Sequence, residues 1–184
     1  MAKQAIGSKK YACYSSDILL KAYKKGPQRI RKSIEGLTGE ELKMHVIPGK
    51  WSIAEILIHL ADADIIGACR IRQAFTVHPG PFPYYLEADW AVKLNYQQQL
   101  VEYINSNLDL FELLRKTTSV IFDNCSSDDW SKTGIHPERG EMSLREVLEL
   151  YADHSERHLE QILERRIILG KPLPMEIILP YRLY

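Results

Sequence analysis

The sequence predicts an all-α fold, a four-helix bundle of up-down helices with long connecting loops, on three observations. Apolar residues recur mainly at helical spacing. No glycine-punctuated series of alternating strands breaks that pattern. Four principal helical regions emerge, and helices with one apolar stripe each bury it most simply against one another.

The elements follow in order. Asp17 or Ser16 can cap a first segment running to about Lys25, which Gly26-Pro27 breaks. Pro27 is placed to open a second segment through Ile34, and Gly36 ends it. Thr38-x-x-Glu41 begins a short turn of helix that Pro48-Gly49 interrupts. Ser52-x-x-Glu55 is a capping box, in which each side chain satisfies a backbone donor left free at the helix start. Behind it Ile53, Leu57, Leu60, Ala61, Ala68 and Ile71 mark one face of a long helix reaching roughly Phe75. Pro79, Pro81 and Pro83 then enforce a loop. A third helical region spans roughly Trp90 to Phe122, with a break expected near Asn105-Ser106-Asn107. Asn124 to Met142 is polar and turn-rich. Ser143-x-x-Glu146, a second capping box, opens the last long helix, which Gly170 and Pro172 close.

At 184 residues the chain fits a single domain, with a core of about 26–170 and a tail of 171–184. Apolar residues make up 45% and charged residues 26%, as in soluble globular proteins. Lys+Arg and Asp+Glu both count 24, leaving no net field to attract nucleic acid or anionic lipid. Cys13, Cys69 and Cys125 are widely spaced and odd in number, which indicates neither a disulfide framework nor a thiolate zinc site. The polar, basic stretch Met1 to Lys10 leads into no apolar run of signal-peptide length, and no stretch is long enough to cross a bilayer. A cytoplasmic location is expected. The segment Met175 to Tyr184 is apolar enough to pack on its own bundle or on a partner subunit.

His154 and His158 sit four apart on the last helix, so both rings share one face. They fall beside Leu144, Val147, Tyr151 and Ile162, an expensive place for two imidazoles. They must find hydrogen-bond partners there, or a metal must take their lone pairs. Alone, the H-x-x-x-H spacing fits satisfied core histidines as well as ligands. His59 flanks the apolar stripe of the second long helix, near Glu55, Ile56, Asp62 and Ile66. Bundle sites are built from facing helices, and three nitrogen ligands leave coordination positions open, as in catalytic zinc sites. Asp64 falls near the centre of the same stripe, where an unpaired carboxylate would be costly. It either pairs with a basic residue of another helix or marks a point where the stripe turns to solvent.

Three stretches together resemble the DinB/YfiT-like family of helical-bundle metalloproteins. They are Gly49-Lys50-Trp51-Ser52-Ile53-Ala54-Glu55-Ile56-Leu57 leading into His59-Leu60-Ala61-Asp62, then Thr133-Gly134-Ile135-His136-Pro137-Glu138, then Asp153-His154-x-x-x-His158-Leu159-x-Gln161-Ile162. The similarity extends from roughly Gly26 to Gly170. It implies a four-helix bundle, often dimeric, with one divalent transition metal, zinc or nickel, on His59, His154 and His158. It implies a small-molecule substrate and, for some members, a low-molecular-weight thiol as cosubstrate. His136 is expected at a loop or site rim and Trp51 at the helix start, while His45 and His78 have no assigned role.

Two functions remain open at this level. One is a metal-dependent hydrolase or thiol-dependent transferase, in which the ion activates a water or a thiol. Asp62, Asp153 or Glu55 could orient an imidazole or take a proton, with capping favoured for Glu55. Tyr151 could hydrogen-bond a bound ligand or simply fill the core. Arg157 and Arg70 could meet substrate carboxylates, although Arg70, three turns beyond His59, is expected to be exposed and rather far away. The other function is a non-catalytic metal-binding or stress-response protein.

Overall fold

Serine and threonine side chains start four of the helices. A computed structural model describes residues 13–174. The reading of Met1–Lys10 and that of Met175–Tyr184 therefore lie outside the described residues. Among the described residues six α-helices occur: α1 (Ser16–Ser33), α2 (Gly39–Lys43), α3 (Ile53–Thr76), α4 (Glu87–Lys93), α5 (Val101–Asp123) and α6 (Leu144–Ile168). Capping boxes on Thr38, Ser52 and Ser143 open α2, α3 and α6, as their spacing predicts. The cap of α1 is Ser15, one or two residues ahead of the expected Ser16 or Asp17.

Proline does not break α1. Pro27 lies inside the helix and has no N–H to offer the carbonyl of Tyr23, four residues back. Arg115 of α5 supplies the missing donor, its Nη1 donating to that carbonyl at 3.2 Å. The break expected at Asn105–Asn107 lies earlier instead. Asn95, in the left-handed conformation at φ 58°, separates α4 from a 3-10 turn at Tyr96–Gln98. Within α5, Ser106 and Asn107 bond back to the carbonyls of Glu102 and Tyr103, so the helix passes through them.

The expectation of helices and loops alone needs correction. A three-stranded sheet is formed by β1 (Gly80–Pro81), β2 (Thr133–His136) and β3 (Gly140–Ser143). β1 pairs parallel with β2, and β2 pairs antiparallel with β3. Gly134 is required there: a Cβ would lie 2.0 Å from the ring of Phe82. Strands of two to four residues carry too little alternation to be read from sequence.

The order of the long helices is also not simple up-down alternation. Arg145 reaches the carbonyl of Tyr14 and Arg166 that of Ser33, so α1 and α6 run the same way. Asp64 with Arg115, and Arg72 with Thr118, set α3 parallel to α5. Lys24 with Asp123 and Arg31 with Asp109 make α1 antiparallel to α5. Arg70 with Tyr151 and Arg165 with the Trp51 carbonyl make α3 antiparallel to α6. The sequence of directions is up-down-down-up. Parallel neighbours cannot be joined by a tight turn, and the proline-rich segment 77–100, with β1 and α4, is the long crossover that returns the chain.

Two apolar clusters fill the bundle. One gathers Leu19, Tyr23, Ile71, Phe122, Leu148 and Tyr151, and the other Ile30, Ile56, Leu60, Leu108, Phe111 and Leu159. The buried Asp64 meets Arg115, which grips both carboxylate oxygens and also donates to the Tyr151 carbonyl at 2.9 Å. The guanidinium lies 3.9 Å from the centre of the Tyr23 ring. Asp64 is therefore paired, not turned to solvent.

Candidate metal centre and cavity

His59 comes from α3, and His154 and His158 come from successive turns of α6. Because α3 and α6 are antiparallel neighbours, the two stripes face each other at this level. The Nε2 of His154 lies 3.0 Å from Nε2 of His59 and 3.0 Å from Nε2 of His158. All three ligand atoms fall within 4.8 Å of one another. His59 and His158 are buried, and His154, partly buried, lines the cavity with His158.

The rings are held neutral. Burial, and then the neighbouring His158, pushes the His59 imidazole down to about 3. Burial drives His154 well below the usual histidine range, with His158 and His59 adding to it. Burial also takes His158 down to about 4. His158 Nδ1 lies 3.1 Å from the Gln161 side-chain oxygen, so it carries the ring proton and Nε2 keeps its lone pair. One N–H on His154 could satisfy only one of the two nitrogens that face it. One cation accepts all three lone pairs, so the donor set fits a divalent metal.

The surroundings hold the rings in place. The Tyr85 hydroxyl lies 3.0 Å from His59 Nδ1, and the Trp51 ring lies against His59 at 4.8 Å between centroids. Tyr96 interacts with the Tyr85 hydroxyl and donates its own to Asp62. Asp62 thus reaches the cluster through two phenols, not by touching an imidazole. Glu87 Oε2 lies 4.0 Å from His59 Nε2 on an exposed side chain. Glu55 holds the cap of α3 and meets His45 at 3.2 Å, and Asp153 pairs with Arg157.

The cluster opens on a cavity of about 790 Å³. Its wall includes Trp51, Tyr85, Glu87, Arg70, His136 and Tyr151. Arg70 is buried, contrary to expectation: its Nη1 donates to the Tyr151 hydroxyl at 3.2 Å and its Nη2 to the Pro83 carbonyl at 2.9 Å. Burial pushes the Tyr151 phenol up to about 12, against the pull of Arg70, so it remains a proton donor at neutral pH. Gly67 makes room for the Tyr151 ring, since a Cβ there would lie 2.6 Å from it. His136 lies on β2 in the cavity wall, in keeping with a rim position. His78 accepts from the Thr133 backbone N–H at 2.8 Å, away from the cluster.

Tyr85, Glu87 and Tyr96 were not legible as site residues. They lie in the crossover, and no spacing relates them to His59.

The profile of the DinB superfamily matches residues 22–162. The chain belongs to the DinB superfamily. A relative from Oceanobacillus iheyensis, provisionally named a metal-dependent hydrolase, is 28% identical over 136 residues, 74% of this chain and 77% of its own. Another of the same designation, from Geobacillus kaustophilus, is 27% identical over 142 residues, 76% of this chain and 78% of its own. Among solved structures, YfiT from Bacillus subtilis is described as "a probable metal-dependent hydrolase with an unusual four-helix bundle topology". It superposes with a TM-score of 0.78 at 19% identity, over 92% of this chain and 94% of that one. A mycothiol-dependent maleylpyruvate isomerase superposes at 0.67 and 17% identity, over 91% of this chain and 68% of that one. The protein therefore presents a three-histidine metal-binding cluster on a mostly helical DinB fold. Among the described residues no helix is long and apolar enough to cross a membrane.

Proposed function

We propose that this DinB protein is a metal-dependent hydrolase, with His59, His154 and His158 holding one zinc or nickel ion. The observation that carries the reading is the convergence of three neutral imidazole nitrogens, two of them on rings that line an open cavity. A closed structural site would instead spend a fourth side chain as ligand. When bound, such an ion supplies Lewis acidity and lowers the pKa of a water or thiol beside it.

The chain's own residues do the remaining work. Gln161 accepts from His158 Nδ1, and Tyr85 stands ready to accept from His59 Nδ1, which presents both Nε2 atoms to one point. The Glu87 carboxylate is placed to take a proton from a nucleophile at the cluster. Tyr151 stays protonated and can donate to a developing oxyanion.

Hydrolysis is preferred because the sequence relatives carry that designation. A low-molecular-weight thiol in place of water is the second reading, supported by the fold shared with a mycothiol-dependent enzyme. A homodimer in the cytoplasm is proposed as the working form. Tyr103, Leu110, Leu113 and Val120 lie exposed at heptad-like spacing on α5 and would suit a helix-to-helix contact.

Elemental analysis of wild type beside His59→Ala, His154→Ala and His158→Ala tests the centre. Near-stoichiometric metal in wild type and a large loss in each variant are expected. Metal retained by all three variants would refute the assignment. Activated esters and amides, assayed beside thiol conjugation, then separate the two reactions.

A further inference from the structure

The wall of the cavity away from the histidines carries a chemistry of its own. Arg70 is 5% exposed, and its two bonded nitrogens meet neutral oxygens, the Tyr151 hydroxyl and the Pro83 carbonyl. Of the other buried arginines, Arg29 and Arg115 are each matched by a carboxylate, Glu156 and Asp64, while Arg166 spends its donors on the Ser33, Glu35 and Lys171 carbonyls and lies outside the cavity wall. Arg70 has no carboxylate, and its Nε is sealed in without a partner. A buried guanidinium without a counter-ion is costly unless something in use repays it.

Two further donors meet Arg70 in the same wall. His136 Nδ1 accepts the backbone N–H of Glu138 at 3.2 Å, so the neutral ring carries its proton on Nε2, which no protein group occupies. Burial disfavours protonation of His136, and Arg70 and then Arg139, which lines the cavity from the β2–β3 turn, add to it. The wall's carboxylates Glu87, Glu138 and Glu164 are all on exposed side chains. Tyr151 links this group of donors to the cluster: its hydroxyl accepts from Arg70, and its ring lies 6.3 Å from the His154 ring between centroids.

We propose that Arg70, His136 and Arg139 form an anion subsite that holds a carboxylate of the substrate while its reacting bond lies at the histidine cluster. The substrate class is then a small carboxylic acid whose scissile ester, amide or thioester lies several bonds from the carboxylate, about one aromatic side chain away. Arg70, held at Nη1 and Nη2, presents a fixed orientation, and a guanidinium so fixed selects a carboxylate by geometry as well as by charge. This inference rests on the cavity being an active site, but its test does not require turnover.

The probes are pentanoate and its uncharged isostere pentanamide, titrated by calorimetry into the protein both metal-loaded and chelator-stripped, with metal content read on the same samples. Pentanoate is expected to bind both forms about ten-fold or more tighter than the amide, as a charge-assisted contact requires. Arg70→Met should abolish that preference, Arg70→Lys keep part of it, and Arg139→Gln weaken it several-fold. Circular dichroism reports whether Arg70→Met folds, and Arg139→Gln, on a half-exposed side chain, carries the test if it does not. Carboxylate binding that needs the metal and ignores the Arg70 and Arg139 variants overturns the inference. Binding that survives in a protein unable to hold metal leaves the subsite standing and removes the metal-dependent reading instead.

Discussion

Tyr85→Phe removes one oxygen from the site and leaves the rest of the contact in place. The ring stacks on His59 at 6.1 Å with 18° between planes and meets Trp90 edge-on at 5.0 Å, contacts that phenylalanine keeps. What is lost is the hydroxyl 3.0 Å from His59 Nδ1. When a cation occupies Nε2, the ring proton is on Nδ1 and needs an acceptor, and His59 is only 1% exposed. Leaving a buried N–H unsatisfied costs about 1–3 kcal/mol, and each 1.4 kcal/mol is about ten-fold in affinity. The metal dissociation constant should therefore rise roughly 10- to 100-fold, the usual range for an outer partner of a ligating histidine. Competition for zinc against a chromophoric chelator at neutral pH measures it, with circular dichroism confirming an unchanged fold. An affinity within two-fold of wild type in a folded variant would refute the role given to Tyr85. Tyr96→Phe, one residue further out toward Asp62, should show the same direction with a smaller change.

Three other outcomes follow from the same structure. Asp64→Asn leaves the buried Arg115 charge unmatched and should cost about 3–5 kcal/mol by urea unfolding, with Asp64→Leu combined with Arg115→Met recovering part of it. In metal-free protein, His59 and His158 have native values of about 3 and about 4, below the unfolded value of about 6.5. Below about pH 6.5 the unfolded chain takes up protons that the native rings refuse, so stability is complete above that pH and falls on acidification. His158 alone should account for roughly 3 kcal/mol by pH 4, and unfolding curves that stay flat from about pH 6.5 to 5.5 would contradict it. Gly67→Ala forces a methyl against the Tyr151 ring and should lower stability by about 1–3 kcal/mol in thermal melts.

Much of this protein was legible without coordinates because its strongest signals are local. The capping boxes at Thr38, Ser52 and Ser143 act within one helical turn, so their spacing alone places three helix starts. The pairing of His154 with His158 is equally local, and facing helices make His59 a natural third member. Where a signal's outcome depended on a distant atom, the reading failed. Pro27 looked like a break until Arg115, 88 residues away in the chain, supplied the donor it lacks. Asp64 was an oddity with two readings until the same arginine met it. Arg70 was expected to be exposed, because the groups that cover it, Tyr151 of α6 and the Pro83 carbonyl of the crossover, leave no mark in the spacing of α3. The helix directions, the first strand of the small sheet, and the approach of Tyr85, Tyr96 and Glu87 to the histidines all depend on the crossover, whose path is set by packing, not by any periodicity in its residues. The sequence by itself determined that three imidazoles would lie on apolar faces of two helices, and only the tertiary structure decided that those faces meet, what orients the rings, and that a counter-ion-free arginine shares their cavity.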